Sequence, residues 1–176
     1  MIAISRQKAA ERGVQIDFRI ADVREPLPFN GAEFDLVFTA TALHYVEDLP
    51  SLFREIARVT KTSGHFIASV LHPMSTAYFP TVETENRREP QYFGKPARSV
   101  ETPWLDYGEV PAEGRRIVCH HHTIADYFDA IASAGLRVTN LCEPEPPAEY
   151  ASQNSSRYEE AMRVPVYLIL KVEHQT

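Results

Sequence analysis

Four segments of the first half of the chain decide its fold: IDFRIAD (16–22), FDLVFTATALHYVED (34–48), LPSLFREIARV (49–59) and HFIASVLHP (65–73). In the first segment apolar and polar residues alternate, which predicts a strand over 15–21. The second and fourth open with apolar runs typical of buried parallel strands. The third carries apolar residues at helical spacing after Asp48, a favoured N-cap residue. Strands that alternate with helices at this spacing predict βαβ units and a parallel sheet.

The same reading extends to both ends of the chain. Alanine, lysine, arginine and glutamate dominate the first twelve residues, and Gly13 follows as a helix stop. Thr123, with Asp126 three residues later, predicts a helix start close to a capping box, and Gly135 predicts its end. The strands predicted after that helix are 136–141 and 166–172, joined in part by the stiff EPEPP connection at 143–147.

Residues 73–118 differ in composition from the rest. They hold six of the thirteen prolines and several aromatic residues without a clear period. A stretch this long with few regular elements is usually a lid, a binding loop or a small subdomain. We therefore predict one domain over 1–176, with a lid or insert at 73–118.

Composition narrows the class of protein. The chain has 176 residues, 44% of them hydrophobic, and a net charge of −6, which argues against a nucleic-acid surface. No run of 18 apolar residues predicts a membrane span, and the first residues are too polar for a signal peptide. The two cysteines, Cys119 and Cys142, are interpreted as free thiols in a reducing compartment, which predicts a cytoplasmic protein without membrane partners.

In their order and spacing, these segments resemble the class I S-adenosylmethionine (SAM) dependent methyltransferases, in particular the small-molecule branch called type 11. The resemblance covers roughly 1–72 and 119–172. It implies an α/β fold with a Rossmann-like sheet, helices on both faces and strand order 3-2-1-4-5-7-6. It also implies SAM as cofactor and a small-molecule substrate. Nicotinamide dehydrogenases share this architecture, but the chain has no GxGxxG motif.

The resemblance does not extend to the family's opening strand, its GxGxG turn or its second strand. None of the seven glycines forms a GxG motif. We therefore expect a partial sheet with the first two strands missing, and a truncated chain that is inactive or binds SAM weakly by itself. The alternative is a non-catalytic methyltransferase-like remnant or a dimerising interaction module. In either case the strand at 34–39 should be covered by 15–21 or by a second chain, the latter giving a homodimer.

The resemblance places the cofactor contacts on two segments. Asp22 would accept a hydrogen bond from the adenine amine, and the backbone N–H of Val23 would meet a ring nitrogen. Backbone groups near Thr39 and Ala40 would meet the methionine end of SAM. Asp22 directly follows the predicted strand at a sheet edge where ligands bind, although a turn-capping aspartate would look the same in sequence.

His44 and Tyr45 are the candidate catalytic residues, since the resemblance places them beside the methyl group and the substrate. Histidine can act as a base near neutral pH, but methyl transfer needs mainly alignment. A histidine that holds the helix entry by hydrogen bonds is therefore an equal alternative.

The candidate substrate residues are His121, Tyr78 and Trp104. His121 matches the histidine of an aromatic-His-Arg-Thr pattern, whose arginine is replaced here by His122. Tyr78 and Trp104 would cover the substrate, or else form a small aromatic core. No metal site is predicted, because adjacent residues of a strand point to opposite faces and 120–122 cannot converge on one ion.

Overall fold

The computed structural model describes residues 2–79, 90–94, 97–101 and 116–175. A short 3₁₀ turn spans Leu43–Tyr45. No helix in the described part of the chain is long and apolar enough to cross a membrane. The helices are α1 (Ile2–Glu11), α2 (Leu49–Val59), α3 (Pro73–Ala77), α4 (Ile124–Ser133), α5 (Ala148–Gln153) and α6 (Ser155–Arg163). The strands are β1 (Phe34–Ala40), β2 (Thr60–Leu71), β3 (Arg98–Glu101), β4 (Arg116–Cys119), β5 (Leu136–Cys142) and β6 (Tyr167–His174).

The main sheet has four strands in the order β1-β2-β6-β5. β1 and β2 are parallel, while β6 runs antiparallel to both of its neighbours. This order corresponds to the 4-5-7-6 part of the sheet that the resemblance implies, which confirms the α/β, Rossmann-like prediction. Leu71 pairs with Tyr167. The carboxyl ends of β1 and β2 and the start of β6 therefore lie together along one edge of the sheet, the edge formed by the strand ends.

One face of this sheet carries the hydrophobic core, formed with α2 and α4. Asp48 caps α2 by accepting the Ser51 N–H at 3.0 Å, and Thr123 and Asp126 form a complete capping box at α4. Phe53 of α2 meets Phe66 of β2 edge to face, with ring centroids 5.9 Å apart. Both helices thus begin where the sequence predicts. α2 buries its predicted apolar face, whereas in α4 Tyr127 and Ile131 are buried but Phe128, expected on the same face, is 40% exposed. The buried residues of α2 are Leu49, Leu52, Phe53, Ile56 and Val59.

The opposite face is less covered at β1. Leu36 and Phe38 point away from the core and are 55% and 62% exposed, while Ile67 of the neighbouring strand is half-buried. β1 is also an edge strand, and its outer edge has no partner strand among the described residues. The sheet therefore presents an open corner at β1.

The strand predicted over 15–21 is wrong. Residues 14–22 have no regular secondary structure, and Ile16 and Ile20 are 56% and 87% exposed. Alternation of apolar residues favours a strand only when a neighbouring strand accepts its hydrogen bonds and covers one of its faces. The version in which 15–21 covers β1 is therefore excluded in this structure, and coverage by a second chain stays a prediction.

The described parts of 73–118 contain more regular structure than the sequence indicates. α3 begins the segment, and β3 pairs with β4 as a two-stranded antiparallel sheet. α5 and α6 were likewise not predicted. All of these elements are short, and amphipathic periodicity is recognised over windows of about 11–18 residues.

Candidate functional site

The candidate site begins at the turn that follows β1. Thr39 and Ala40 end the strand, and Thr41 adopts a φ of 48°, which is a strained conformation for a β-branched residue. The Thr41 N–H donates to the carbonyl of Ser69 in β2 at 2.6 Å, which holds the turn in place. The chain then enters the Leu43–Tyr45 turn at the sheet edge where open α/β folds bind ligands.

His44 lies inside this turn with only 5% of its surface exposed. Its Nδ1 is buried and has no hydrogen-bond partner in the described part of the chain. Burial, with a smaller contribution from nearby His122, lowers the pKa of His44 to about 4. The imidazole is therefore neutral at pH 7 and is a weak base.

Tyr45 extends from the same turn and is 40% exposed. Its ring lies 4.1 Å from the His44 ring, centroid to centroid, at a tilt of 53°. Burial raises the pKa of the Tyr45 hydroxyl, with a further contribution from Cys119. The phenol is therefore protonated at neutral pH, so this pair combines a hydrogen-bond donor with an uncharged imidazole.

The segment that contains the three histidines is fastened to this turn. The His120 N–H donates to the His44 carbonyl at 2.7 Å, and the His122 Nε2 donates to the Val46 carbonyl at 2.8 Å. Beside the contact lies a cavity of about 440 Å³. Histidines 120–122 line it together with the acidic residues Glu47, Asp126 and Asp129.

His121 is buried and held at both ring nitrogens. Its Nε2 donates to the Tyr92 carbonyl at 2.7 Å, and its Nδ1 lies 2.7 Å from the Thr76 hydroxyl of α3. Tyr78, which is 44% exposed, follows α3 directly. Two of the predicted substrate residues, His121 and Tyr78, are thus brought to the same helix, whereas Trp104 lies outside the described residues.

The three histidines point toward different partners, as expected for neighbours on an extended chain. His120 is partly exposed, His121 reaches α3, and His122 reaches the turn after β1. Within the described ranges, no group of three or more His, Cys, Asp or Glu residues could hold a metal ion.

Asp22 lies in an exposed turn and does not follow a strand, contrary to the sequence expectation. Its carboxylate accepts from the Arg24 guanidinium at 2.6 Å and from the Arg24 backbone N–H at 3.0 Å. Hydrogen bonds from the Arg24 side chain, then from its backbone, lower the pKa of Asp22 to about 2. Val23 is 46% exposed. The turn-capping alternative describes the observed contacts of Asp22, and its role toward adenine stays a prediction.

A further buried histidine at the same sheet edge was missed. His72, at the end of β2, is 2% exposed and accepts the Met74 N–H at its Nδ1. Its Nε2 therefore carries a proton and donates to Glu143 at 2.8 Å. The two residues are 71 positions apart, so no local sequence signal joins them. The pair fastens the start of the 143–147 connection to the carboxyl end of β2.

Comparison with known proteins adds to this geometry. A methyltransferase-domain family model matches residues 1–68. A solved SAM-dependent methyltransferase from Mesorhizobium loti superposes with a TM-score of 0.71 at 27% identity, covering 96% of this chain and 74% of that one. A putative SAM-dependent methyltransferase from Listeria monocytogenes gives a TM-score of 0.73 at 19% identity, covering 97% and 75%.

Among curated proteins, the uncharacterized methyltransferase YcgJ of Bacillus subtilis is 33% identical over 67 residues, which are 38% of this chain and 26% of that protein. This chain spans about a quarter or less of the length of the curated relatives that it matches. The solved neighbours share this chain's fold over nearly its whole length. The fold is that of class I SAM-dependent methyltransferases, and the family model and these neighbours show that the chain is similar to such proteins.

Proposed function

We propose that this chain takes part in SAM-dependent methyl transfer to a small molecule. The observation that carries the proposal is the turn over residues 39–45. It belongs to the part that the family model matches, it leaves β1 at the ligand-binding edge, and it combines a strained Thr41 with the buried His44. The partnerless Nδ1 of His44 fits a site whose polar partner is a ligand, because buried polar groups are otherwise nearly always satisfied.

Bound SAM would supply an electrophilic methyl group on a positively charged sulfur. Backbone groups of Thr39 and Ala40 would hold its methionine end, and Asp22 and Val23 its adenine. His44 and Tyr45 would flank the path of the methyl group and exclude water from it. Because the His44 imidazole is a weak base with a pKa of about 4, we assign it an orienting role rather than that of a general base.

Cofactor affinity offers the first test. Because Arg24 already occupies the Asp22 carboxylate, we expect weak binding of SAM in titration calorimetry. Arg24→Gln should free the carboxylate and strengthen binding, whereas Asp22→Asn should weaken it further. Arg19→Gln, which removes the similarly exposed Arg19–Asp17 pair, is the matched control. Tight binding that neither Asp22→Asn nor Arg24→Gln changes would remove Asp22 from the site.

Turnover offers the second test. His44→Asn should lower the rate of methyl transfer to a small acceptor by about tenfold while leaving SAM affinity unchanged. Loss of a true general base would cost about 10²–10⁴-fold. His65→Asn is the control, since His65 is paired with Glu173 away from the turn. An unchanged rate would exclude His44 from the mechanism, and lost SAM affinity would make it a residue of the cofactor loop.

The second candidate function is a dimerising interaction module, and the exposed edge of β1 favours it. If two copies pair antiparallel about Val37, Asp35 lies opposite Thr39 and Leu36 opposite Phe38. This register places no like charges opposite each other, and it pairs the two exposed apolar side chains. Both features stabilise the pairing of the two strands. A second copy is therefore the occupant that we propose for this edge.

A further inference from the structure

A second and larger cavity lies at the same edge of the sheet, away from the turn after β1. Its volume is about 1040 Å³, at the upper end of the range for small-molecule sites. Its walls come from α3 and the residues after it, from the 143–147 connection, from α5 and α6, and from the start of β6. None of the candidate catalytic or cofactor residues lines it, although Tyr78, one of the predicted substrate residues, does.

Several hydrogen bonds fix the walls of this cavity. The Ser75 hydroxyl donates to the Pro165 carbonyl at 2.7 Å, and the His72 N–H donates to the Val166 carbonyl at 2.8 Å. On the other side, the His72–Glu143 hydrogen bond anchors the proline-rich connection. α3 and the connection are thus each anchored at this end of the sheet, which favours a preformed site.

Four aromatic residues line this cavity. Tyr78 and Phe79 follow α3, Tyr150 belongs to α5, and Tyr167 opens β6. Tyr78 and Tyr167 are 44% and 41% exposed, which is high for large aromatic side chains in a folded domain. Ring faces of this kind attract organic cations through their quadrupole.

The charges of the lining have the matching sign. Glu145 and Glu160 contribute carboxylates and Arg157 contributes one guanidinium, so the lining carries one net negative charge. In the described part of the chain neither carboxylate is in an ion pair. Over 143–167 as a whole, the sequence contains five glutamates and two arginines. A ligand with a positive charge would compensate these carboxylates, whereas an anion would meet them unpaired.

We propose that this cavity binds a small organic cation of the alkylammonium class, with its charge between the tyrosine rings and the two glutamates. The site is separate from the proposed cofactor contacts. Its occupancy therefore does not depend on SAM.

Choline serves as the probe, and 3,3-dimethylbutan-1-ol, which has the same shape without the charge, as its neutral counterpart. We expect choline to shift the protein NMR signals of residues around the cavity and to bind at least about fivefold more tightly than the neutral alcohol, as cation–π attraction requires. Glu160→Gln and Tyr150→Leu should each weaken choline binding about threefold or more. Glu159→Gln, on the same helix but outside the lining, should leave it unchanged.

Three results would overturn the proposal: equal binding of the alcohol and choline, no saturable shift with choline, or tighter binding of phenylacetate that Arg157→Gln abolishes. Loss of structure in Tyr150→Leu would show in its spectrum, and Glu160→Gln then decides the question because this surface substitution does not disturb packing. Choline binding without any SAM binding would support this site while contradicting the proposed methyl transfer.

Discussion

At the scale of single residues, the main feature is a neutral histidine buried next to a strained turn. An imidazole that cannot be protonated inside the protein makes stability depend on pH. In the unfolded chain the pKa of a histidine is about 6.5, whereas in the folded chain the pKa of His44 is about 4. Between these values the unfolded state binds more protons than the folded state.

We therefore predict that His44 destabilises the fold as the pH falls from 6.5 to 4, by about 3 kcal/mol in total. Above pH 6.5 both states are neutral at this position and the effect vanishes. Urea unfolding of the native protein and of His44→Gln at pH 7 and pH 4.5 would measure it. The variant should lose less stability on acidification. An identical loss in both proteins would mean that His44 is accessible to protons in the folded state.

The residues of the candidate site were predictable only where a local motif carried them. His44 and Tyr45 follow an apolar strand within a recognisable segment, so the resemblance located them. Thr76 and Tyr92 hold His121 from positions 45 and 29 residues away, and Glu143 meets His72 across 71 residues. Such contacts depend on how the elements pack, which no local pattern encodes.

At the scale of elements, the junction of β1 and β2 depends on one glycine. The register between these strands shifts after the Phe34–Thr60 pair, so that Leu36 faces His65. Gly64 lies in this irregular stretch, and a Cβ there would come within 2.9 Å of the carbonyl oxygens of Phe34 and Asp35.

We predict that Gly64→Ala destabilises the fold by about 1–3 kcal/mol, because two of the three contacted atoms are backbone oxygens that cannot move aside. Gly31→Ala is the control, since its nearest neighbour would be at 3.6 Å. Denaturant unfolding of both variants would compare them. If Gly64→Ala costs no more than Gly31→Ala, the close approach at the junction is relieved by a small shift of β1.

Elements were predictable where local pattern and packing agree. α2 and α4 have caps and continuous apolar faces, and both form within a residue or two of the predicted bounds. Residues 15–21 show that pattern alone is insufficient, since their alternation has no neighbouring strand to satisfy it. The short α3, α5 and α6 escaped prediction because five to nine residues hardly establish a period.

At the scale of the whole molecule, the sheet is sealed by helices on one face and open at β1. Leu36 and Phe38 leave apolar surface beside an edge whose backbone groups have no partner in the described structure. An exposed, apolar edge of this kind pairs readily with another strand. Within one protein species, a two-fold pairing is the simplest closed arrangement.

We predict that the protein is a dimer in solution, joined through β1 of each copy in the register centred on Val37. Leu36→Lys combined with Phe38→Lys should give a monomer, because it places lysines opposite lysines along the shared edge. Tyr167→Lys, an exposed apolar position on β6, is the control and should leave the dimer intact. Light scattering after size-exclusion chromatography gives the mass, and amide exchange of residues 34–40 reports the pairing. A monomeric native protein with fast exchange along β1 would exclude this interface, whereas a dimer that survives both lysines would place the contact elsewhere on the molecule.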